Sequence, residues 1–340
     1  IDAVQLRTDC DVSYGTALSG GLDSSSIMAA LYSDNKLSCS RPNAIHSAYN
    51  CSFPGSELDE SMYAQTVCDQ FNVNLYTTNF DCVNTKYDLV TTTLITEDPY
   101  LTYGSPMLQL YDSMKRRGVS VSIDGHGSDE LIGGYSDLSR LLSEPGSYSR
   151  LREIVAIEDS LVTGIYTKSH RKTIKRKLMV ELKRIIFNLS RFKQFFKKRR
   201  SLYSPIYGPE LEMLYENECF SELSIFNQLL YELFHFSVLP TLLRNYDRYS
   251  MGAGVEVRMP FMDYRLVTCS FGLPSSYKIG NCVTKRILRD SFSDKLPGKI
   301  ATRLDKKGWN CPSSSWLSEE LLGQVFLYAS NHISESLRTE

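Results

Sequence analysis

The sequence predicts an α/β fold: a parallel, twisted sheet with helices on both faces, followed by a mostly helical C-terminal lobe. Two observations predict it. In the first third of the chain, short apolar runs alternate with helical patterns of about a dozen residues. From about residue 150 the strand patterns stop, and Leu, Ile and Phe recur at three- and four-residue spacing. We therefore expect right-handed crossovers and a ligand site beyond the carboxyl ends of the strands.

The apolar runs justify four strands, because buried parallel strands appear as short hydrophobic segments between turns. These runs are SYGTALS, NAIHSAYN, VNLYTTNF and VSVSIDG. Helices are predicted from Ser24, over ELDESMYAQTVCDQF and between the third and fourth strands. Beyond residue 150, the segment 207–244 predicts two helices and the segment 281–292 predicts another.

These patterns divide the chain into three regions. Residues 1–150 form the α/β core, residues 151–235 a helical region with a basic insert at 168–200, and residues 236–340 a helical lobe that completes the site. The chain begins with Ile1, in what reads as the end of a helix entering a strand. We therefore expect an N-terminal part to be missing.

Composition indicates a globular protein. Hydrophobic residues make up 42% of the 340 residues and charged residues 23%. There is no apolar run of membrane-spanning length, and we expect no signal peptide. The nine cysteines are scattered, with no CxxC pair, which favours reduced thiols over a disulfide framework or zinc site. We expect a cytoplasmic protein.

The basic insert is the strongest charge feature. Between Lys168 and Arg200 there are fourteen Lys and Arg residues and a single acid, Glu181. One interpretation is a helical hairpin with a solvated basic face. Another is contact with an anionic membrane surface, because apolar residues recur at helical spacing among the charges.

The segment SGGLDSS follows the first strand and opens a helix. Glycines and a helix N-terminus present backbone N–H groups to an anion, and serines add hydroxyl donors. A carboxylate beside phosphates indicates a bridging Mg²⁺, which we place on Asp23. A capped strand-to-helix turn is the alternative. The predicted phosphate-binding residues are Ser19, Gly20, Gly21, Asp23, Ser24 and Ser25.

This loop lacks Walker spacing and resembles the pyrophosphate loop of the N-type ATP pyrophosphatases. Within that superfamily, the segment SIDGHGSDELIGGY at 122–135 resembles the asparagine synthetase signature, as do FPGSELDESMYA at 53–64 and LRNYDRYSMGAGVEVRMPFMDYRLV at 243–267. The motifs occur in family order over nearly the whole chain. β-Lactam synthetases share this fold. The resemblance therefore implies an ATP pyrophosphatase core with an asparagine-synthetase-type synthase domain.

The resemblance implies further site residues. Asp129 matches the second magnesium-binding aspartate of the family and should face Asp23 from a neighbouring strand end. Leu18, Asp124 and Gly125 match positions that contact adenosine. Glu130 could belong to the site or simply begin a helix.

Two further groups complete the predicted site. Lys285 and Arg289, four residues apart on a predicted helix, could reach phosphate. Lys306 matches the lysine that holds the α-phosphate, with Lys307 as the fallback.

Catalytic roles are assigned from the 243–267 motif to Asp247 and Glu256, although a structural pair between Glu256 and Arg258 is the alternative.

His126 departs from the family pattern, which has glutamate there in asparagine synthetases and tyrosine in β-lactam synthetases. An imidazole could act as a general base, or pack as a neutral loop residue. We include His126 among the catalytic candidates.

The implied reaction has two steps, in which a carboxylate attacks Mg·ATP with release of pyrophosphate and ammonia or an amine then displaces AMP. Aspartate is the first candidate substrate, and a uronic acid in polysaccharide biosynthesis is the alternative. Ammonia would come from an N-terminal glutamine amidotransferase domain. An RNA-binding thiolase is disfavoured by the missing CxxC, and a non-catalytic relative by the intact Asp23, Asp129 and Lys306.

Overall fold

The computed structural model describes residues 1–32, 46–80, 89–97, 104–135 and 222–305, and its core is a five-stranded, fully parallel sheet. The strands are β1 (Tyr14–Ala17), β2 (Ser47–Ser52), β3 (Leu75–Asn79), β4 (Val121–Ile123) and β5 (Glu256–Arg258). Their order across the sheet is β3-β2-β1-β4-β5. The α/β prediction and its four strands are confirmed.

One strand of the sheet lies outside the four that the sequence predicts. Strands do not stop at residue 150, because β5 joins the edge of the sheet beside β4. Its three residues, Glu-Val-Arg, are too short and too charged to give the alternating pattern of a longer strand. The sequence-predicted C-terminal lobe therefore contributes a strand to the sheet.

Helices are numbered along the described part of the chain. Those before β4 are α1 (Asp2–Arg7), α2 (Leu22–Tyr32), α3 (Ser61–Phe71), α4 (Leu89–Thr96) and α5 (Ser105–Arg116). Those after β4 are α6 (Ser128–Ile132), α7 (Ile225–Glu232), α8 (Leu239–Gly252), α9 (Tyr264–Gly272), α10 (Ser275–Lys278), α11 (Arg286–Phe292) and α12 (Gly298–Ala301). A π-helical turn, Leu233–Ser237, precedes α8, and a 3₁₀ turn, Pro260–Met262, precedes α9. Between β3 and β4 the described residues form two helices, α4 and α5, rather than the single predicted one.

The sheet separates two apolar layers, because neighbouring side chains of a strand point to opposite faces. Ala48 of β2 packs in a cluster with residues of α2 and α3, such as Ile27 and Val67. The next residue, Tyr49, packs in a second cluster with Leu108 of α5 and residues of α8. Helices therefore cover both faces, as predicted.

The strand order creates a crevice between β1 and β4. From β1 the chain moves outward through β2 to β3, whereas β4 returns to the other side of β1. Tyr14 and Gly15 of β1 pair with Val121 and Ser122 of β4. Ligands of open α/β sheets bind at such a reversal, outside the carboxyl ends of the strands. The loops after β1 and β4 meet there.

Several predictions lie outside the described residues: the helical region up to residue 221, its basic insert 168–200, and everything from Lys306 onward. Within the described ranges, no helix is both long enough and apolar enough to cross a membrane. The described cysteines, at positions 10, 51, 68, 269 and 282, are all free thiols.

Candidate functional site

The SGGLDSS loop turns sharply from β1 into α2 against the start of α3. Gly20 has a φ of +75°, a left-handed conformation that favours glycine. A Cβ at this position would lie 2.5 Å from the backbone of both Tyr63 and Ala64. Glycine is therefore required twice, by the turn and by the close approach of α3.

Two serines of this loop, Ser19 and Ser24, form hydrogen bonds inside the loop. Ser19 Oγ accepts a hydrogen bond from the Gly21 N–H at 3.1 Å and lies 3.2 Å from Ser24 Oγ. Ser24 Oγ also donates to the Gly21 carbonyl at 3.3 Å. Ser25 is fully buried, and its hydroxyl has no hydrogen-bond partner in the described part of the chain. Any ligand would therefore compete with hydrogen bonds inside the loop for Ser19, Gly21 and Ser24.

The second glycine-rich loop, after β4, lies directly against the first. A Cβ on Gly125 would stand 3.1 Å from the carbonyl carbon of Asp23 and from the backbone nitrogen of Ser24. In the same loop, Ser128 Oγ donates a hydrogen bond to Asp23 Oδ1 at 2.7 Å. The two motifs are thus in contact at neighbouring strand ends. Ser128 belongs to the 122–135 motif, but the sequence pattern does not single it out as a site residue.

Asp23 and Asp129 converge on one cation, the ammonium group of Lys285. Lys285 Nζ lies 2.5 and 2.6 Å from the two oxygens of Asp23 and 2.5 Å from Asp129 Oδ1. The two carboxylates are a little over one-fifth exposed, whereas the lysine side chain is almost fully buried. We call these three residues the Asp23–Lys285–Asp129 cluster. The predicted proximity of the two aspartates is present in this structure.

The backbone holds Lys285 in place. Lys285 caps the N-terminus of α11 in a left-handed conformation, with a φ of +52°, so it precedes the helix on which Arg289 lies. Burial by itself lowers the pKa of its ammonium group, but Asp129 and Asp23 outweigh that effect and raise the pKa above its usual value. Lys285 therefore stays charged near neutral pH.

The cluster has the chemistry of a small divalent-cation site. Mg²⁺ prefers oxygen ligands and is commonly bound by one or two carboxylates together with substrate phosphates. The two carboxylates already share a single cationic atom, so their geometry fits one shared ion. Among the described residues, no group of three or more Asp, Glu, His or Cys side chains is arranged to hold a metal. Substrate phosphates and water commonly supply the remaining ligands of a Mg²⁺ ion held by two carboxylates.

Asp124 is buried at the end of β4 and accepts hydrogen bonds from several elements. Its carboxylate accepts hydrogen bonds from Ala17 N–H at 3.2 Å, Tyr111 OH at 2.8 Å and Ser122 Oγ at 2.5 Å. Burial alone would raise its pKa, but the nearby His126 and the hydrogen bonds from Ser122 and Tyr111 lower the pKa below its usual value. Its carboxylate thus ties β4 to β1 and α5, and contact with adenosine stays a prediction.

His126 lies between Asp124 and α8. Its Nε2 is 3.6 Å from Asp124 Oδ2, and its ring contacts that of Tyr246 in a tilted arrangement with centroids 3.9 Å apart. About one-fifth of the side chain is exposed. The imidazole is therefore oriented at the crevice and still accessible.

Glu130 is buried and pairs with a neighbour on its own loop. Only 1% of Glu130 is exposed, and its carboxylate accepts a hydrogen bond from Tyr135 OH. Burial and the nearby carboxylates raise the pKa of Tyr135, so the phenol stays protonated. These contacts explain a glutamate at this position by the packing of the GSDE loop.

The two catalytic candidates of the 243–267 segment lie apart from the cluster. Glu256 is the first residue of β5 and pairs with Val121, at the amino end of β4, opposite the edge with the two aspartates. It is exposed and binds Arg258 Nε at 2.8 Å. Asp247 is exposed on α8. The geometry lends no support to catalytic roles for either residue, and these roles stay predictions.

Two other charged residues of the 243–267 segment, Arg258 and Asp263, have structural roles. Arg258 donates to the carbonyls of Arg7 and Asp9, each at 3.0 Å. Asp263 caps α9 through the Arg265 N–H and binds the guanidinium groups of Arg265 and Arg7. These hydrogen bonds, foremost those of Arg265, lower the pKa of Asp263. The charged residues of the motif thus fasten α1 and α9 together.

The 53–64 motif is also explained by packing. Asp59 accepts from Ser52 Oγ at 2.7 Å and from the Ser61 N–H at 2.9 Å, which fixes the start of α3. Glu60 binds the buried guanidinium of Arg303, which also lies 4.0 Å from the ring centroid of Tyr63. Sequence reasoning missed Arg303, because its partner is more than two hundred residues away in the chain.

Two predicted phosphate ligands remain. Arg289 donates to the carbonyls of Thr284 at 2.9 Å and Ala301 at 2.8 Å, so its guanidinium joins α11 to α12. Lys306 lies outside the described residues, immediately after the segment that Arg303 anchors. Of the two lysines predicted to bind phosphate, Lys285 alone can be placed, and it lies beside both aspartates.

The chain is similar to known proteins over most of its length. It matches the asparagine synthase family over residues 1–333. It is 24% identical over 332 residues to asparagine synthetase (glutamine-hydrolyzing) 1 of Bacillus subtilis, covering 94% of this chain and 50% of that protein. It is also 24% identical over 348 residues to amidase chry2 of Gibberella zeae, covering 93% of this chain and 52% of that protein. The chain thus spans about half the length of these relatives, and it belongs to the asparagine synthase family.

Proposed function

We propose that this chain is an ATP-dependent amide ligase that adenylates a carboxylate, releases pyrophosphate, and then joins the activated carbonyl to ammonia or an amine with release of AMP. The observation that carries the proposal is the convergence of Asp23 and Asp129 on one cationic point at the β1–β4 crevice. Such a crevice is where nucleotides bind in open α/β sheets.

The residues of the crevice have separate tasks in this proposal. The N-terminus of α2 and the SGGLDSS loop face the phosphates, and Asp23 and Asp129 hold the metal that accompanies ATP. Bound Mg²⁺ would neutralise negative charge on the leaving pyrophosphate. Lys285 would supply positive charge to the same group, and Lys306 is proposed to contact the α-phosphate. Family membership and the contact between the two loops support these assignments.

His126 is the proposed general base for the attacking amine. A histidine can accept a proton near neutral pH, and here the ring is partly exposed beside the crevice. Its contact with Asp124 would orient the ring and stabilise the imidazolium that forms. Because the family pattern has another residue at this position, the amine or carboxylate substrate need not be that of an asparagine synthetase.

Aspartate with ammonia is the first proposed substrate pair. The name of the Bacillus subtilis relative supports it, and that relative is also named as glutamine-hydrolysing. We propose that ammonia comes from a glutaminase domain, for which the roughly half of the relative not covered by this chain leaves room. The second candidate is an amidotransferase acting on another carboxylate, such as a uronic acid. His126, and a relative of similar coverage named as an amidase, favour keeping it.

The direct test is pyrophosphate release from Mg·ATP with ammonia and a panel of carboxylates that includes aspartate, glutamate and glucuronate. Release with aspartate, together with formation of asparagine, would support the first pair. Release with a uronate alone would support the second candidate and reject the first. A His126→Gln variant tests the base, because its rate of amide formation should fall.

Pyrophosphate release with none of these carboxylates, from protein that binds Mg·ATP, would reject both substrate proposals. Absence of Mg·ATP binding itself would reject the ligase proposal as a whole. A matched control is Lys299→Gln, which changes an exposed lysine of α12 and should leave the rate unchanged.

A further inference from the structure

The ammonium group of Lys285 stands at the point where the two aspartates would bind a metal. It lies 2.5 and 2.6 Å from the oxygens of Asp23 and 2.5 Å from Asp129 Oδ1, distances at which no second cation fits between the same atoms. Two cations a few ångströms apart also repel strongly in a partly buried site. The lysine and a divalent metal therefore exclude each other in this arrangement.

Lys285 is held firmly rather than loosely. Its side chain is 5% exposed, and its backbone caps α11. The space for its Cε is left by Gly134, where an added Cβ would stand 2.3 Å from that atom. A lysine on a flexible surface could move aside at little cost, but this one has to lose two buried ion pairs first.

We propose that Lys285 is an exchange ligand, which pairs with Asp23 and Asp129 in the absence of nucleotide and moves onto the triphosphate when the metal arrives with ATP. The inference rests on the proposed ATP site. Its consequence is that free metal is excluded, so metal and nucleotide enter together.

The exchange leaves every charged group with a partner of opposite charge. Before binding, one ammonium group faces two carboxylates. When metal and triphosphate arrive together, the carboxylates pass to the metal and the ammonium group passes to the phosphate oxygens, so no buried charge is left without a partner. Free metal offers no such exchange, because the displaced ammonium group would have no anion to meet.

The test measures binding of Mn²⁺ without nucleotide, by electron paramagnetic resonance, to four proteins: the unaltered chain, Lys285→Gln, Lys285→Arg and Lys299→Gln. Removing the competing charge should tighten Mn²⁺ binding to Lys285→Gln by about tenfold or more. Lys285→Arg keeps the charge, and Lys299→Gln removes an exposed charge on α12, so both should bind Mn²⁺ as weakly as the unaltered chain.

Thermal unfolding with and without Mn²⁺ keeps the test valid if Lys285→Gln is unstable. Two carboxylates without their cation should destabilise that variant, and Mn²⁺ should raise its Tm while leaving the Tm of the unaltered chain unchanged. Equal Mn²⁺ affinity and equal Tm shifts in both proteins would overturn the proposal, as would tightening in Lys299→Gln as large as in Lys285→Gln.

Failure of the proposed function is recognised by a separate measurement, which is nucleotide binding. Binding of α,β-methylene-ATP with Mg²⁺ is measured on the unaltered chain and on Lys285→Gln. If ATP is not the substrate, neither protein binds it, whatever the Mn²⁺ comparison gives. If ATP is the substrate and the exchange is right, Lys285→Gln binds free Mn²⁺ more tightly and the nucleotide more weakly.

Discussion

An added Cβ at Gly134 would stand 1.6 Å from Oδ1 of Asp129, well inside van der Waals contact. The same Cβ would lie 2.3 Å from Cε of Lys285. The second glycine of the GGY sequence therefore leaves the room in which an aspartate and a lysine meet. In the sequence this glycine is one letter of a signature, whereas the structure gives it a steric reason.

Gly134→Ala should displace the Asp129 carboxylate and so disable the site. Misplacing a catalytic group by about 1 Å can cost about a hundredfold in rate, and a loss of that order is expected in pyrophosphate release from Mg·ATP. Gly298→Ala is the matched control, because a Cβ at that position meets nothing within 4 Å. A Gly134→Ala variant with the rate of the control would contradict the steric account.

Gly20→Ala should destabilise the fold more than Gly55→Ala. Both glycines have a left-handed backbone, with φ of +75° and +79°, and that strain costs about 1–2 kcal/mol per residue for alanine. At Gly55 a Cβ meets nothing within 4 Å, whereas at Gly20 it meets the backbone of α3 at 2.5 Å. Forced overpacking costs about 1–3 kcal/mol more.

Urea unfolding of the two glycine variants separates strain from close approach. The difference between their free energies of unfolding is the contribution of the contact between the SGGLDSS loop and α3. Equal destabilisation would show that the loop moves away from α3 freely, against the packing described here.

The burial of His46 predicts how stability depends on pH. His46 lies 3.0 Å from Thr16 Oγ1 and 2.7 Å from Tyr32 OH, and burial lowers its pKa to about 4. Because the unfolded chain binds this proton more readily, the stabilisation is complete above about pH 6.5 and is lost as the pH falls towards 4. A shift of that size corresponds to about 3 kcal/mol.

The free energy of unfolding, measured by urea at several pH values, should fall more steeply between pH 6.5 and 4 in the unaltered chain than in His46→Gln. The variant keeps a polar side chain between Thr16 and Tyr32 but has no imidazole to protonate. Parallel curves would show that His46 takes up its proton equally well when folded.

The first four strands could be predicted because buried parallel strands carry a local signal. Each is a short apolar run next to a turn, and the loops after β1 and β4 carry glycines that only a tight approach explains. β5 could not be predicted in this way, because its three residues are held by pairing with β4 rather than by their own pattern. A strand of that kind is specified by tertiary contacts.

In the candidate site, too, some features could be predicted from local sequence and others depend on tertiary contacts. Asp23 and Asp129 could be predicted because both follow strands, and carboxyl ends of parallel strands meet at one edge. The direct contact of Lys285 with both carboxylates could not be predicted, because it depends on a left-handed residue placed far along the chain. Likewise, no local pattern pairs Glu60 with Arg303.

The central claim is that Asp23 and Asp129 act as one unit in holding the metal of Mg·ATP. The measurement that tests it most directly is the rate of pyrophosphate release by Asp23→Asn, Asp129→Asn and the double variant, each checked for an intact thermal transition. Residues that act as a unit are strongly non-additive. We predict that each single variant loses nearly all activity and that the double variant loses no more. Small losses that add up in the double variant, or full activity in either single variant, would contradict the account.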